Sequence, residues 1–359
     1  MLDSYYMERA LLLAKQGEGF TSPNPLVGAV IVKKDKIVSQ GYHKKSGLAH
    51  AEIEAINKIS LSSCRGATLY VNLEPCSHFG KTPPCVDRII KMKFRRVVIA
   101  TKDPTQKVNG KSIRKLKKAG VKTSVGLLKS QASKLNEVFF KNSIKSMPFV
   151  VAKVAQSLDG KIATRKGISK WITGQDSRKM SKALRDKYDS VLVGVNTVLK
   201  DNPVLAGLKR VPFRVVIDPS LKINPKAHIL KHNPTKTIII TASGDKVKLK
   251  KLPGLVTVLT IKRDKAGLIP IKKILKSLYS LGIMSVFVEG GSRTIGNFFD
   301  HKLIDKVFFF IAPKIIGGKD ALSSIGAKGF AALKDAPGLK DVRIERVKQD
   351  IIISGYPKY

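Results

Sequence analysis

Apolar positions along this chain fall alternately into short continuous runs and helically spaced sets, the pattern of strands interleaved with helices. An amphipathic helix is expected from about Asp3. A strand at 27–32, a turn at Lys34-Asp35 and a strand at 37–42 follow as a hairpin. Ile53, Ile56 and Ile59 repeat at helical spacing in an element that starts near Ala49. A strand at 67–73 then runs into a Pro/Gly loop, and Pro83 and Pro84 stand where a helix can open. A strand at 96–101, a basic helix around 113–119, a strand at 121–125 and a helix at 129–144 complete this series.

The pattern breaks at Lys145-Ser146-Met147-Pro148, because the residue before a proline is driven out of helical conformation. A new series starts with a strand at 149–155. Further strands are expected at 190–193, 214–217, 237–241, 255–260, 285–289 and 307–311, and helices at 177–187, 270–281 and 294–299. This alternation predicts α/β layers, and the break predicts two domains, 1–146 and 147–359. A chain of 359 residues is comfortable for two.

Composition narrows the picture. With 43% hydrophobic and 26% charged residues the chain reads as globular. No run reaches the roughly 18–20 apolar residues of a membrane helix. The first apolar stretch carries charges within it, unlike a secretory signal, so a cytoplasmic enzyme with no membrane partner is expected. Three cysteines make no disulfide framework and suit metal binding in a reducing compartment.

The formal charge of +41 raises nucleic acid as a partner. The excess is spread evenly, however. Residues 1–146 hold 27 Lys/Arg against 10 Asp/Glu, and the remainder holds 40 against 16. A compositional bias explains this better than a dedicated surface, and no nucleic-acid partner is expected. Anionic, phosphate-bearing substrates would still be drawn in by such a field.

Candidate chemistry gathers in the first domain. His50-Ala51-Glu52, Pro75-Cys76 and Cys85 each fall where a strand or loop meets a helix start, and helix starts stabilise thiolates. Three protein ligands leave zinc a fourth position for water, the catalytic arrangement. Bound zinc brings the pKa of that water down to about 7. Glu52, two residues from a ligand, can carry the proton. Separately, each motif is weak; together they match the zinc-deaminase signature H-x-E…P-C-x-x-C, except that eight residues separate the cysteines. The loop 77–84 would then lie over the site. His78 within it is a rival ligand, and Cys64 reads as a spare thiol.

At these residues the sequence resembles a known family. The strings PNPLVGAV at 23–30, Gly41-Tyr42-His43, His50-Ala51-Glu52 and EPCSHFGKTPPC at 74–85 resemble the deaminase half of the bifunctional riboflavin-biosynthesis deaminase/reductases. SLDGKIA at 157–163, KWIT at 170–173, GVNTV at 194–198 with Asp201-Asn202-Pro203, and VEGGS at 288–292 resemble the reductase half. The resemblance implies a cytidine-deaminase-like α/β/α domain followed by a dihydrofolate-reductase-like α/β domain. Implied cofactors are zinc and NADPH, and the implied substrate is a small phosphoribosylaminopyrimidine. A homodimer or higher homo-oligomer through the reductase domain is implied as well.

By position, the resemblance places Asn24 and His43 in the pyrimidine pocket. Ala155, Trp171, Thr197, Asp201, Gly291, Ser292, Arg293, Thr294, Ile295, Gly296 and Asn297 would contact NADPH. Lys153, Ser169, Arg185, Leu205 and Glu289 would hold the reductase substrate. On the residues alone Asn24 reads equally as a turn residue, Trp171 as a core anchor and Arg185 as a solvated helix arginine. The chain departs from the family twice. Leu208 stands where an arginine usually holds the phosphate, with Lys209 and Arg210 following, and Asp-Pro-Asn-Pro reads Asp103-Pro104-Thr105-Gln106. The first departure admits a rival in which the reductase half is silent. A nucleic-acid-acting deaminase is the rival from another class.

Overall fold

Two sheets packed with helices account for the alternation of the sequence. The structure, a computed structural model, describes residues 2–79 and 83–359. The chain divides into two compact units, residues 1–146 and 147–359.

In the first unit five strands, β1 (Gly28–Lys33), β2 (Lys36–Tyr42), β3 (Thr68–Leu73), β4 (Arg96–Thr101) and β5 (Lys122–Val125), line up as β2-β1-β3-β4-β5. β1 runs antiparallel to both neighbours, whereas β3, β4 and β5 are parallel. Alternate side chains of the central strands go to opposite faces. Ala29, Ile31, Leu69 and Val71 pack with the helices Ala51–Ile56, Cys85–Lys91 and Lys111–Lys118. Val30, Val32 and Tyr70 pack under the helix Leu2–Lys15 through Tyr6, Met7 and Ala10. Burying β3 on both faces leaves its C-terminal end as the place where polar groups can emerge.

Two expected helices differ in extent, each for a visible reason. The helix with Ile53 and Ile56 is one and a half turns long, and Ile59 packs on the core from beyond it. The stretch 129–144 is two helices, Lys129–Leu135 and Glu137–Lys145, broken at Asn136. The Asn136 side chain accepts from the Leu26 N–H (2.8 Å) and donates to the Leu26 carbonyl (2.9 Å). Asn72 on β3 donates to the same carbonyl (2.9 Å) and accepts from the Gly28 N–H (2.8 Å). Two side-chain amides thus satisfy the backbone beside Asn24 as a neighbouring strand would.

The second unit holds a nine-stranded sheet. Its strands are β6 (Phe149–Ser157), β7 (Ser190–Gly194), β8 (Phe213–Ile217), β9 (Thr237–Thr241), β10 (Thr257–Thr260), β11 (Ser285–Val288), β12 (Lys306–Ala312), β13 (Gly338–Val347) and β14 (Asp350–Lys358). They order as β10-β9-β8-β7-β11-β6-β12-β14-β13, parallel from β10 to β12 and antiparallel at β14 and β13. Val150, Ala152, Leu192, Val286 and Val288 pack with the helices Ile271–Ser280 and Ser292–Asp300. The order reverses around β11, which lies between β7 and β6, and open α/β sheets bind ligands at the C-terminal ends of such strands.

Neither the helix Val195–Asp201 nor the β13–β14 hairpin was expected from periodicity. β13 lies at the sheet edge and is exposed along nearly its whole length, so it carries no alternation of burial to read. Among the described residues no helix is long and apolar enough to cross a membrane.

Candidate functional site

In the first unit the ends of β2 and β3 meet the starts of two helices. β2 leads into His43, and His50 is the extended N-cap residue of the helix Ala51–Ile56. β3 continues through Glu74-Pro75 to Cys76, and Cys85 is the first residue of the helix Cys85–Lys91. His50 Nδ1 lies 3.2 Å from Cys85 Sγ and 3.5 Å from Cys76 Sγ, and the three ligand atoms all lie within 4.8 Å of one another. Zinc bonds of about 2.3 Å to sulfur and about 2.0–2.1 Å to nitrogen set tetrahedral edges of roughly 3.6 Å, so the donor set fits the metal.

Electrostatics favour the same use. Cys76 is pulled well down, because it accepts from the Cys85 thiol, from His50 and from the Cys85 backbone N–H (3.2 Å). Cys85, the donor of that pair and buried, is pushed up. One proton is thus shared between two sulfurs, and a divalent cation would replace it. His78 is not part of this cluster; its exposed ring lies on the wall of the adjoining cavity. Cys64 is buried among core side chains, and burial pushes its thiol up. Of the loop expected to cover the site, Gly80, Lys81 and Thr82 lie outside the described residues.

A cavity of about 450 Å³ opens beside the cluster. Asn24, His43, Glu52, His78, Asp103, Thr105, Lys107 and Phe139 are among its lining residues. Glu52 is only 3% exposed; burial, and then the charge on Cys76, push it up to about 7. Burial pushes His43 down, which favours its neutral form. Its Nδ1 faces the Ala49 carbonyl (3.0 Å), which can only accept, so Nε2 is the acceptor for the Asn24 amide (3.1 Å). That leaves the Asn24 carbonyl oxygen as an acceptor of fixed orientation. Asn24 is therefore more than a turn residue.

Glu74 and Lys107 were not singled out from the sequence. Glu74, 3% exposed, accepts from Gly110 N (2.8 Å), Ser112 Oγ (2.6 Å), Asp103 N (3.3 Å) and Ile113 N (3.4 Å). A Glu before Pro-Cys gives no hint of these partners, which come from 29 to 39 residues away. Thr105, at one of the family departures, spends both its N–H (2.7 Å) and its hydroxyl (2.6 Å) on Asp103 Oδ1.

In the second unit the glycine turns after β7 and β11 abut. A Cβ on Gly290 would meet Thr197 Oγ1 at 2.9 Å, and one on Gly194 would meet Thr294 Oγ1 at 2.9 Å. Gly291 has φ 71° and caps the helix Ser292–Asp300 with no side-chain hydrogen bond, leaving its first N–H groups for an anion. The cradle fits a cofactor phosphate. Not all of 291–297 faces it: Ile295 is turned into the core, and Gly296 backs onto the Gly326 carbonyl. Asp201, at the far end of the helix Val195–Asp201, lies 3.9 Å from Lys170. Trp171 is 62% exposed with the Arg178 guanidinium 4.3 Å above its ring, so it is no core anchor. Ala155, near the end of β6, and Ser169 are partly buried, while Leu205 is buried at φ 57°.

Arg185 does not stand in solvent. Its guanidinium binds both Glu289 oxygens (2.5 and 2.8 Å) and the Ala206 carbonyl (2.8 Å), with the two side chains 15% and 7% exposed. Burial raises Glu289, but Arg185 and Lys153 outweigh it and hold the carboxylate below its usual range. Lys153 is pushed down by burial against the pull of Glu289, with its ammonium 5.4 Å from the Phe310 ring centre. Truncating one member of such a pair strands the other, so Arg185→Ala should cost about 3 kcal/mol of stability, read by chemical denaturation. A loss below about 0.5 kcal/mol would mean that Lys153 alone neutralises Glu289.

The basic residues after Leu208 do not replace the missing arginine equally. The N–H groups of Leu208, Lys209 and Arg210 all donate to the Asp186 carboxylate, which fixes the loop. Arg210 turns inward to the Tyr188 carbonyl (2.5 Å), and only the exposed Lys209 keeps its charge outward.

Residues 1–101 match the cytidine and deoxycytidylate deaminase zinc-binding region, and residues 148–353 match the RibD C-terminal domain. The riboflavin biosynthesis protein RibD of Aquifex aeolicus is 43% identical over 357 residues, covering 98% of each chain. Acinetobacter baumannii RibD, form 1, superposes with a TM-score of 0.89 at 34% identity, covering 100% of this chain and 99% of its own. A diaminohydroxyphosphoribosylaminopyrimidine deaminase/5-amino-6-(5-phosphoribosylamino)uracil reductase from Thermotoga maritima gives 0.89 at 38%, covering 99% of each. Both units are matched end to end and in one order, which makes the chain a member of the RibD family, the bifunctional deaminase/reductases of riboflavin biosynthesis.

Proposed function

We propose that residues 1–146 hydrolyse a ring amino group of diaminohydroxyphosphoribosylaminopyrimidine, using zinc on His50, Cys76 and Cys85. Residues 147–359 then reduce the ribosyl chain of the product to ribityl with NADPH. The observation that carries the reading is the His50–Cys76–Cys85 cluster facing a cavity of about 450 Å³ with buried Glu52 on its wall. Zinc, when bound, acidifies a water near neutral pH.

Glu52 takes the proton of that water, passes it to the ring nitrogen and then to the departing amine, so a C–O bond replaces a C–N bond and ammonia leaves. Asn24, with its amide oriented by His43, offers a fixed acceptor to the pyrimidine edge. In the second unit the glycine cradle with Ser292, Arg293, Thr294 and Asn297 holds the NADPH phosphate, and Ala155, Thr197, Trp171 and Asp201 flank the cofactor. Lys153, Glu289 and Arg185 form a polar floor for the substrate, with Ser169 and Leu205 beside it. There alignment of donor and acceptor carbons does most of the work. The exposed β13 edge, with Val342 and Ile344, suits a second copy of this chain, giving a homodimer in the cytoplasm.

Following ammonia release and NADPH oxidation together on the phosphoribosylaminopyrimidine tests the reading. Matching amounts of both are expected. Ammonia alone would favour the second reading, a silent reductase unit, for which Leu208 and the inward Arg210 speak. Neither signal would remove the zinc assignment.

A further inference from the structure

The deaminase cavity contains a cation with nothing to do. Lys107 is the only Lys or Arg among its described lining residues. It is exposed, and among the described residues it makes no hydrogen bond or ion pair. The carboxylates around it are otherwise engaged. Glu52 is buried beside the cysteines, Asp103 holds Thr105 through Oδ1, and Glu74 is consumed by four donors. The segment bearing Lys107 is fixed at both ends by Glu74, through the Asp103 N–H before it and Gly110, Ser112 and Ile113 after it. Glu74 itself follows directly on β3, two residues before Cys76. One buried carboxylate therefore sets the position of this lysine relative to the metal ligands.

We propose that Lys107 is the phosphate anchor of the deaminase pocket and that Glu74 is the positioning residue that presents it. The proposal rests on the substrate read above, whose reacting ring and phosphate are joined through a ribose. A lysine ammonium binds phosphate as a compact charge and tolerates a range of approach, so arginine should replace it well.

The test is steady-state ammonia release by the zinc-loaded full chain, with the phosphorylated substrate and with its dephosphorylated form. Lys107→Ala is expected to raise KM for the phosphorylated substrate about 10- to 30-fold while kcat changes less than about threefold. KM for the dephosphorylated form should move less than about twofold, and Lys107→Arg should restore most of the loss. Inorganic phosphate should inhibit the wild type more strongly than Lys107→Ala. Glu74→Gln, whose amide nitrogen must face either the N–H groups of Asp103 and Gly110 or that of Ile113, should mimic Lys107→Ala with zinc still at one per chain. The double variant should then be little worse than either single. Equal KM changes on the two substrates, or none on the phosphorylated one, would overturn the role of Lys107. Zinc loss in Glu74→Gln would overturn that of Glu74, and a chain unable to fold would too, while leaving the lysine tests standing. A wild type that releases ammonia from neither substrate would instead sink the deaminase reading itself.

Discussion

Replacing Glu52 by glutamine is expected to lower ammonia release by about 10⁴-fold while zinc stays at one per chain. Glutamine keeps the shape and the burial but cannot carry a proton from water to ring nitrogen. The ligand atoms of His50, Cys76 and Cys85 are untouched by the change. Turnover within tenfold of wild type would remove Glu52 from its role. The metal-free protein offers a second reading of the same residue. Its folded pKa, about 7, stands above the 4.5 of an exposed glutamate, so ionising it within the fold is unfavourable. That cost is absent below pH 4.5, grows as pH rises to 7 and is constant above. Metal-free Glu52→Gln should therefore be more stable than metal-free wild type by about 3 kcal/mol at pH 8, and by less than about 1 kcal/mol at pH 5. A difference independent of pH would mean that burial does not control this carboxyl.

Cys85→Ser is expected to reduce zinc below about a tenth of an equivalent and to abolish ammonia release. NADPH oxidation on the already deaminated intermediate should persist, because Cys85 belongs to the first unit and the cofactor cradle to the second. A serine hydroxyl is a poor ligand at neutral pH, because it keeps its proton where a thiol gives its proton up to the metal. Metal retained at one per chain would put the third ligand elsewhere. Loss of both activities would mean that the second unit depends on the first for its fold.

Much of this was legible before any coordinates. Runs such as 237–241 announce a strand, and the observed β9 has the same bounds, buried on both faces. The grouping of His50, Cys76 and Cys85 was legible because their chemistry is rare and they stand in the order of a known signature. What stayed hidden depends on partners far away in sequence. Asn136 breaks a helix that its neighbours would continue, since its side chain has a better use on Leu26, 110 residues distant. Arg185 looks solvated on a helix pattern, yet Glu289, 104 residues on, draws it inward. β13 left no trace because an exposed edge strand has no apolar face to repeat.

The clamp on Leu26 has a consequence for tolerance. Asn72 rides on β3, the strand that leads to Cys76, and it grips the segment carrying Asn24. The metal end of the pocket and its substrate wall therefore share one datum. A small slide of β3 carries both together and preserves their spacing, whereas a fault at Asn72 would let them drift apart with each half still intact. Such a molecule would keep its zinc and its fold yet deaminate poorly, a defect that metal analysis and thermal melting would both pass over.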